Sequence, residues 1–288
     1  MEVEHLVTPS EKKQHRKAKS LIQSLNSWYE NGLLNLVNER IIFLQNCAGC
    51  DRGSLASESV ELRELLRRYN FTVIGTKSNI GFEKALYKLV QTATSRNLLF
   101  LEEDWQIKTD QLRGELQLAE QMLDTNFVHV VKFRSSVDPG KPYCSEVWQG
   151  FEHLMQEEAM QGGDGVLSIL NAASWQQDDA RVKELFGGRV WRCHPNFLCG
   201  HSPVSAWTNN PSMYRKDWFV ENMLEAAENS YHFESSINLS PHLWSAQCWI
   251  VAQGRGLFTH VDLDKNIQDQ SPCEIPEIII MDVNKTSS

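Results

Sequence analysis

Three consecutive carboxylates follow a short apolar run, and no other segment of this sequence is so well suited to chemistry. Residues 98–101 have the composition and length of a buried strand, and Glu102, Glu103 and Asp104 come directly after them. Alternation along an extended chain places Glu102 and Asp104 on the same side. Neighbouring carboxylates repel unless a cation compensates them, and their oxygens suit Mg²⁺ or Mn²⁺. A solvated acidic turn at a helix start would explain the same residues.

A glycine-bearing polar turn precedes that strand by about twenty residues. Residues 75–82 read Gly-Thr-Lys-Ser-Asn-Ile-Gly-Phe and lead from an apolar run into a helical stripe. Backbone amides at the start of the helix, with Lys77 beside them, suit a phosphate or a ribose edge. A helix cap with a tight glycine turn is the alternative interpretation.

Apolar runs and amphipathic stripes alternate around these two segments. The patterns predict strands at 40–46, 71–75, 98–101, 127–133 and 256–260, and helices at 55–69, 82–95, 110–124, 215–229 and about 234–252. Strands that are apolar on both faces, alternating with amphipathic helices, predict an α/β fold with a parallel sheet covered on both sides. Ligands of such sheets bind beyond the carboxyl ends of the strands, where the acidic cluster lies.

The chain of 288 residues shows no repeat and no linker that divides it. Its patterns predict a helical lead-in over 1–38, one main domain over 39–265 and a C-terminal tail over 266–288. The main domain comprises a first half, 39–133, and a second half, 134–265. Most of 134–210 is predicted to form loops because it carries several glycine-rich turns.

The order of strand, turn, helix and acidic strand end resembles that of glycosyltransferases with the GT-A fold. Residues 79–93, NIGFEKALYKLVQTA, match the Asn-x-Gly-x-x-x-Ala helix of that family, and 98–105, LLFLEEDW, match its strand capped by a DXD-type acidic motif. The match covers residues 40–110. The resemblance implies a Rossmann-like, mixed and mainly parallel sheet flanked by helices in a single domain. It also implies a metal-dependent transfer of a sugar from a nucleotide-diphosphate sugar to a hydroxyl of a glycan acceptor.

Carried onto this chain, the resemblance makes Asp104 a ligand of Mn²⁺ or Mg²⁺. Glu102 would face the donor ribose, although the family more usually has Asp at that position. The residues implied to bind the donor are Asn46, Arg52, Lys77, Asn79, Lys84, Glu102 and Glu103.

The second half resembles the acceptor side of the same family. Residues 231–237 are similar to the segment in which inverting members hold a catalytic carboxylate, which makes Glu234 the expected general base and Asp217 the second candidate. Either acid could instead cap its own helix. Residues 256–260 are similar to a strand that ends in a metal-binding histidine, here His260, although an ordinary hydrogen-bonded histidine fits the same pattern. The aromatic residues expected near the acceptor sugar are Trp105, Trp207 and Tyr214.

Charge and cysteine content limit the setting. A net charge of −9 argues against general nucleic-acid binding, and no apolar run reaches the length of a membrane span. The seven cysteines are odd in number, which predicts reduced thiols and a cytoplasmic protein. A looser resemblance to small soluble glycosyltransferases of large algal viruses implies host cytoplasm, a glycoprotein acceptor and UDP-xylose as the first donor to test. Cys47 and Cys50 could form a redox pair or join other cysteines around zinc.

Two other functions remain open from the sequence. A sugar-phosphate nucleotidyltransferase would also use acidic residues and Mg²⁺ beside a sheet, but residues 46–52 match its Gly-rich signature poorly. A non-catalytic carbohydrate-binding scaffold would bind metal and sugar without nucleotide turnover. The choice between an inverting and a retaining outcome is also open.

Overall fold

The structure, a computed structural model, describes residues 9–45, 60–107, 112–135, 170, 179–229, 233–238 and 240–261. Within them, helices and strands combine in a mixed α/β fold, which confirms the predicted fold class at that level. The predictions for Asn46, Arg52, Cys47, Cys50 and the tail over 266–288 lie outside the described residues.

The described residues contain nine helices and nine strands, and two short 3₁₀ turns at Ser202–Val204 and Ser245–Gln247. The helices are α1 (Pro9–Glu30), α2 (Leu33–Leu36), α3 (Val60–Arg68), α4 (Phe82–Thr92), α5 (Leu112–Asp124), α6 (Asp179–Phe186), α7 (Lys216–Asn222), α8 (Leu224–Asn229) and α9 (Phe233–Asn238). The strands are β1 (Ile41–Leu44), β2 (Thr72–Gly75), β3 (Asn97–Phe100), β4 (Trp105–Ile107), β5 (Val130–Arg134), β6 (Val190–His194), β7 (Phe197–His201), β8 (Ser212–Arg215) and β9 (Ile250–His260).

The strands form a two-stranded parallel sheet, β1–β2, and a seven-stranded sheet in the order β3-β8-β5-β9-β7-β6, with β4 also paired to β9. β3, β5 and β9 run in the same direction, because β8 is antiparallel to both β3 and β5 while β9 is parallel to β5. The prediction of a mainly parallel sheet is therefore wrong: the larger sheet is mixed but mostly antiparallel. Two features cause the difference: β8 is inserted antiparallel between β3 and β5, and β4, β6 and β7 form in segments predicted to be turn or loop.

The second half departs from its predicted helices. The helical pattern over 234–252 yields only α9, and from Ile250 the chain forms the eleven-residue strand β9. Pro241 interrupts the helical pattern, and β9 gains ladder hydrogen bonds on both sides from β5 and β7. Tertiary pairing has overridden the local pattern at this position.

The larger sheet buries both of its faces, as the apolar strands predict. Val130 and Val251 point into one core, with Leu86, Phe219 and Phe233 of the helices α4, α7 and α9. Their chain neighbours Val131 and Ala252 point into the opposite core, with residues of α1, α3 and α5. Successive side chains of a strand face opposite sides, so one sheet separates the two clusters.

The lead-in helix α1 packs against the rest of the fold through the part of the helix whose side chains are described. Leu25 and Trp28 are buried in the core that contains α3 and α5. Among the described residues, no helix is both long and apolar enough to cross a membrane.

A disulfide joins Cys193 of β6 to Cys199 of β7 across their hairpin. The expectation of reduced thiols is wrong for this pair, and neither sulfur is available as a zinc ligand. Because disulfides are rare in reducing compartments, the pair gives no support to a cytoplasmic location, which stays a prediction.

Gly256 allows β9 to pass very close to β5. Its φ of +80° lies in the left-handed region, and a Cβ built there would lie 2.0 Å from the carbonyl oxygen of Arg134. Gly32 has the same φ but open space around it.

We expect Gly256→Ala to destabilise the fold far more than Gly32→Ala. Both variants meet the left-handed penalty of about 1–2 kcal/mol, but only the first forces strands apart, for a total of about 3–5 kcal/mol. Urea unfolding of both variants beside the parent chain measures the difference. Equal midpoints for the two variants would show that β9 can move away from Arg134 without cost.

Candidate functional site at the strand ends

Three strands of the larger sheet deliver their carboxyl ends to one edge. β3 leads into Glu102, Glu103 and Asp104, β5 ends at Arg134, and β9 ends at His260. Because these strands run in the same direction, carboxylate, guanidinium and imidazole groups come from segments far apart in sequence to the same side of the sheet.

Asp104 and His260, the two residues predicted to bind metal, lie in direct contact. β4 turns back from β3 and pairs antiparallel with β9, so that Trp105 lies opposite His260. The Nε2 atom of His260 lies 3.0 Å from Oδ2 of Asp104. Oδ1 of Asp104 and Nδ1 of His260 are buried and have no hydrogen-bond partner in the described part of the chain. Because Nδ1 lies on the far side of the imidazole from Nε2, a divalent cation held by this pair would take Nε2 and a carboxylate oxygen of Asp104 as ligands.

The buried Trp105 packs against the imidazole of this pair. It is only 2% exposed, its ring meets the His260 ring edge-on at 4.9 Å, and the Arg134 guanidinium lies 5.3 Å from its ring centroid. A side chain so deeply buried offers little face to an acceptor sugar. Arg134 was not predicted as a site residue, although its place directly after the predicted strand 127–133 could have indicated it.

Side chains of helix α1 form hydrogen bonds with the backbone of the acidic segment and of β4. The Ser24 hydroxyl donates to the carbonyl of Glu103 at 2.8 Å, and the Trp28 indole donates to the carbonyl of Trp105 at 2.8 Å. Ser27 both accepts from the amide and donates to the carbonyl of Ile107. The turn from β3 to β4 is therefore held from two sides, by α1 and by β9.

The predicted donor-side residues divide into two groups. Asn79, Glu102 and Glu103 border a cavity of about 1310 Å³ between β1 and β3, together with Gln45. Gln45 accepts a hydrogen bond from the amide of Ile80 at 2.8 Å, which ties the end of β1 to the polar turn. The side chain of Asn79 accepts from the amide of Gly81, so it shapes its own turn.

Lys77 and Lys84 form the second group. Both are exposed and neither borders the cavity. Lys77 lies in the polar turn and Lys84 in the first turn of α4, and both side chains extend toward solvent.

Glu234, the expected base, lies half-buried in the first turn of α9. Its Oε2 accepts from the amide of Asn209 at 3.4 Å. Burial raises the pKa of Glu234, while the Asn209 amide and the charge of Lys132 oppose that rise. A carboxyl with a raised pKa is a better proton acceptor near neutral pH than an ordinary surface acid.

Asp217, the second candidate, lies at the opposite edge of the sheet. It follows β8, whose last residue, Arg215, pairs with Asn97 at the beginning of β3, whereas Asp104 follows the end of β3. Its exposed side chain accepts hydrogen bonds from the Arg215 guanidinium and the Trp218 amide. Arg215 lowers the pKa of Asp217, which suits a helix-start acid and not a base.

Trp207 and Tyr214 are core residues here. Both are buried, and Tyr214 stacks on Phe219 with ring centroids 4.7 Å apart. The Trp207 ring contacts the rings of Phe233 and Trp244. These aromatic groups pack α9 and the following turn against the sheet.

Comparison with known protein families finds no family that matches this chain, and no curated protein matches its sequence. The inference of function therefore depends on the residues of the site.

A buried carboxyl lies against the strand that carries His260. Glu115 of α5 is 3% exposed, and a Cβ built on Gly254 of β9 would lie 3.1 Å from its Oε1. Its Oε2 has no hydrogen-bond partner among the described residues. Burial raises the pKa of Glu115 to about 7, although a hydrogen bond from the backbone amide of Arg255 and the positive charge of Arg255 oppose the rise.

This burial predicts that stability falls as the pH rises. The folded chain keeps the Glu115 proton up to about pH 7, whereas the unfolded chain releases it near pH 4.5, so the favourable contribution is lost between these values. Between pH 4.5 and 7 the free energy of unfolding of the parent chain should therefore fall. We expect this fall to be smaller in Glu115→Gln, by up to about 3 kcal/mol. Urea unfolding at several pH values measures it, with Glu120→Gln on the exposed side of α5 as the control. An unchanged slope in Glu115→Gln would contradict the assignment.

Proposed function

We propose that this chain is a metal-dependent glycosyltransferase of the GT-A type. It would transfer a sugar from a nucleotide-diphosphate sugar, a UDP-sugar first of all, to a hydroxyl of a glycan or glycoprotein acceptor. The observation that carries the proposal is the contact between Asp104 and His260 at the strand ends, beside a cavity bordered by Glu102, Glu103 and Asn79.

The donor atoms of this pair fit Mn²⁺ or Mg²⁺ bound together with a substrate. The described residues contain no cluster of three or more acidic, histidine or cysteine side chains that could enclose an ion. A carboxylate and an imidazole would leave most coordination positions to diphosphate oxygens and water, as is usual for ions that act with phosphates. Imidazole favours Mn²⁺ over Mg²⁺. When bound, such an ion supplies positive charge to the diphosphate.

The arrangement around β3 supports the GT-A likeness. The Asn-x-Gly segment leads into α4, α4 precedes β3, and β3 ends at the acidic residues, in the order of that family. The parallel pair β1–β2 lies across the cavity from β3. The cavity between them is large enough for a nucleotide sugar.

The residues suggest an inverting displacement. Glu234 would accept the proton of the acceptor hydroxyl as its oxygen forms a bond to the anomeric carbon. The bond from that carbon to the diphosphate oxygen would break on the opposite face, and its electron pair would leave with the diphosphate. Arg134, at the same edge as Asp104, would stabilise the negative charge that develops there.

Nucleotide release from a panel of UDP- and GDP-sugars, beginning with UDP-xylose and including simple sugar acceptors and Mn²⁺, tests the proposal. We expect Glu234→Gln to lower kcat by about 10²–10⁴-fold, because the amide cannot accept the proton. Asp104→Ala should weaken Mn²⁺ binding, which electron paramagnetic resonance measures without turnover.

Asp217→Asn is the matched control, because it changes the other candidate acid at the opposite edge. It should weaken the exposed ion pair with Arg215, at a cost of up to about 1 kcal/mol, and keep its turnover. Loss of turnover in Asp217→Asn with full activity in Glu234→Gln would reverse the assignment of the base. If no donor is turned over and Mn²⁺ does not promote nucleotide binding, the glycosyltransferase proposal is wrong. Metal-dependent binding of a sugar without any turnover would favour a carbohydrate-binding scaffold.

A further inference from the structure

Lys132 is a charged side chain in the middle of β5 and is only 3% exposed. It pairs with Ser212 of β8 on one side and with Gln253 of β9 on the other, so its backbone lies in the interior of the sheet. Alternation places its side chain on the same face as Val130, which is the face covered by α4, α7 and α9. A lysine is rarely buried in this way without a partner that compensates its charge.

Its ammonium group is bonded to the segment that runs past the expected base. Nζ of Lys132 donates to the carbonyl oxygen of Ala206 at 2.5 Å. In the next residue, the amide and the carbonyl of Trp207 bond to the Asn238 side chain at 2.7 and 2.9 Å. Two residues later, the Asn209 amide donates to Glu234. Residues 206–209 thus connect β5 to both ends of α9.

The two side chains also interact through their charges. Lys132 lowers the pKa of Glu234 against the effect of burial, and Glu234 in turn raises the pKa of Lys132, which burial brings down to about 8. Glu83 of α4 is a further buried charged group beside α9, and its carboxylate accepts from the Phe233 amide at 3.1 Å. Glu225 and Glu228 of the adjoining α8 are exposed to solvent.

We infer that Lys132 is a positioning residue for Glu234: it anchors the segment 206–209 against the sheet and supplies a buried positive charge that acts on the carboxylate. The role of Glu234 as a base rests on the proposed function, whereas the coupling between the two side chains does not. Lys132 has no direct part in the transfer reaction.

The kinetic test compares Lys132→Met with Lys216→Met. Lys216 is a matched control because its ammonium group also donates to a backbone carbonyl, that of Ala93, but it lies beside Arg215 at the opposite edge of the sheet. Loss of the Lys132 charge should raise the pKa of Glu234. We therefore expect the acid limb of the kcat profile to move upward by about one pH unit, with kcat reduced by up to about tenfold on that limb and unchanged on the plateau. An acid limb unchanged from the parent chain would overturn the inference, since a purely structural residue would lower activity without moving it.

The second test needs no turnover. Urea unfolding at pH 7.5 is measured for Lys132→Met, Glu234→Gln and the double variant. Removal of both buried charges should cost less than the sum of the two single changes, because each single change leaves the other group without its partner. Additive midpoint shifts would overturn the inference, even if the protein proves to be an active glycosyltransferase.

A third measurement covers the case in which Lys132→Met does not fold. Lysines labelled with ¹³C at Cε are titrated by NMR in the parent chain and in Glu234→Gln. The titration midpoint of Lys132 should fall in Glu234→Gln, since the neighbouring negative charge is lost, while that of Lys216 stays in place. An unchanged Lys132 midpoint would overturn the inference. If all donors fail but the midpoint falls, the coupling stands and only the proposed reaction is wrong.

Discussion

The antiparallel pairing of β4 with the end of β9 is the constraint on which the site depends. It places Trp105 opposite His260 and thereby brings Asp104, one residue earlier, within 3.0 Å of the imidazole. A shift of one residue in this register would turn each side chain to the other face of the sheet and separate the pair. The register has support from outside, because the hydroxyl and indole groups of α1 satisfy carbonyls of the same turn. A helix at the beginning of the described chain therefore contributes to the precision of a site some eighty residues later.

The buried charged side chains of this fold are compensated in different ways. Glu83 accepts from a backbone amide and fixes the start of α9. Lys132 donates to a carbonyl and interacts with the charge of Glu234, so its burial is compensated in two ways. Glu115 keeps one carboxyl oxygen without a partner in the described part of the chain, and its pKa rises accordingly. Glu83 in the first turn of α4 and Glu234 in the first turn of α9 occupy equivalent positions in sequence. Glu83 accepts from the Phe233 amide, whereas Glu234 accepts from the Asn209 amide and interacts with the charge of Lys132.

Local patterns predict the strands whose residues are apolar on both faces, and they predict the acidic strand end. The strands β1, β2, β3 and β5 are found close to their predicted positions because burial on both sides requires continuous apolar runs. The hairpin β6–β7 was missed, since Trp-Arg-Cys-His mixes polar and apolar residues and is held by cross-strand pairing and by the bond between Cys193 and Cys199. The proximity of Asp104 and His260 was expected from a family likeness alone. No local signal encodes a contact over 156 positions of the chain.

Strand direction, which the sequence does not display, places the two candidate bases at different edges of the sheet. Glu234 and Asp217 are each the second residue of a short helix, and both are acids in a first turn. β8 runs against β3, so the residue that follows β8 must lie at the edge where β3 begins. The acidic cluster follows the other end of β3, and an acid bonded to Arg215 at the far edge cannot reach it without crossing the sheet. Glu234 is instead joined through residues 206–209 to β5, which runs toward the edge with Asp104. The same antiparallel insertion that makes the sheet depart from its predicted form thus separates Asp217 from the acidic cluster, and the proposed reaction therefore uses Glu234.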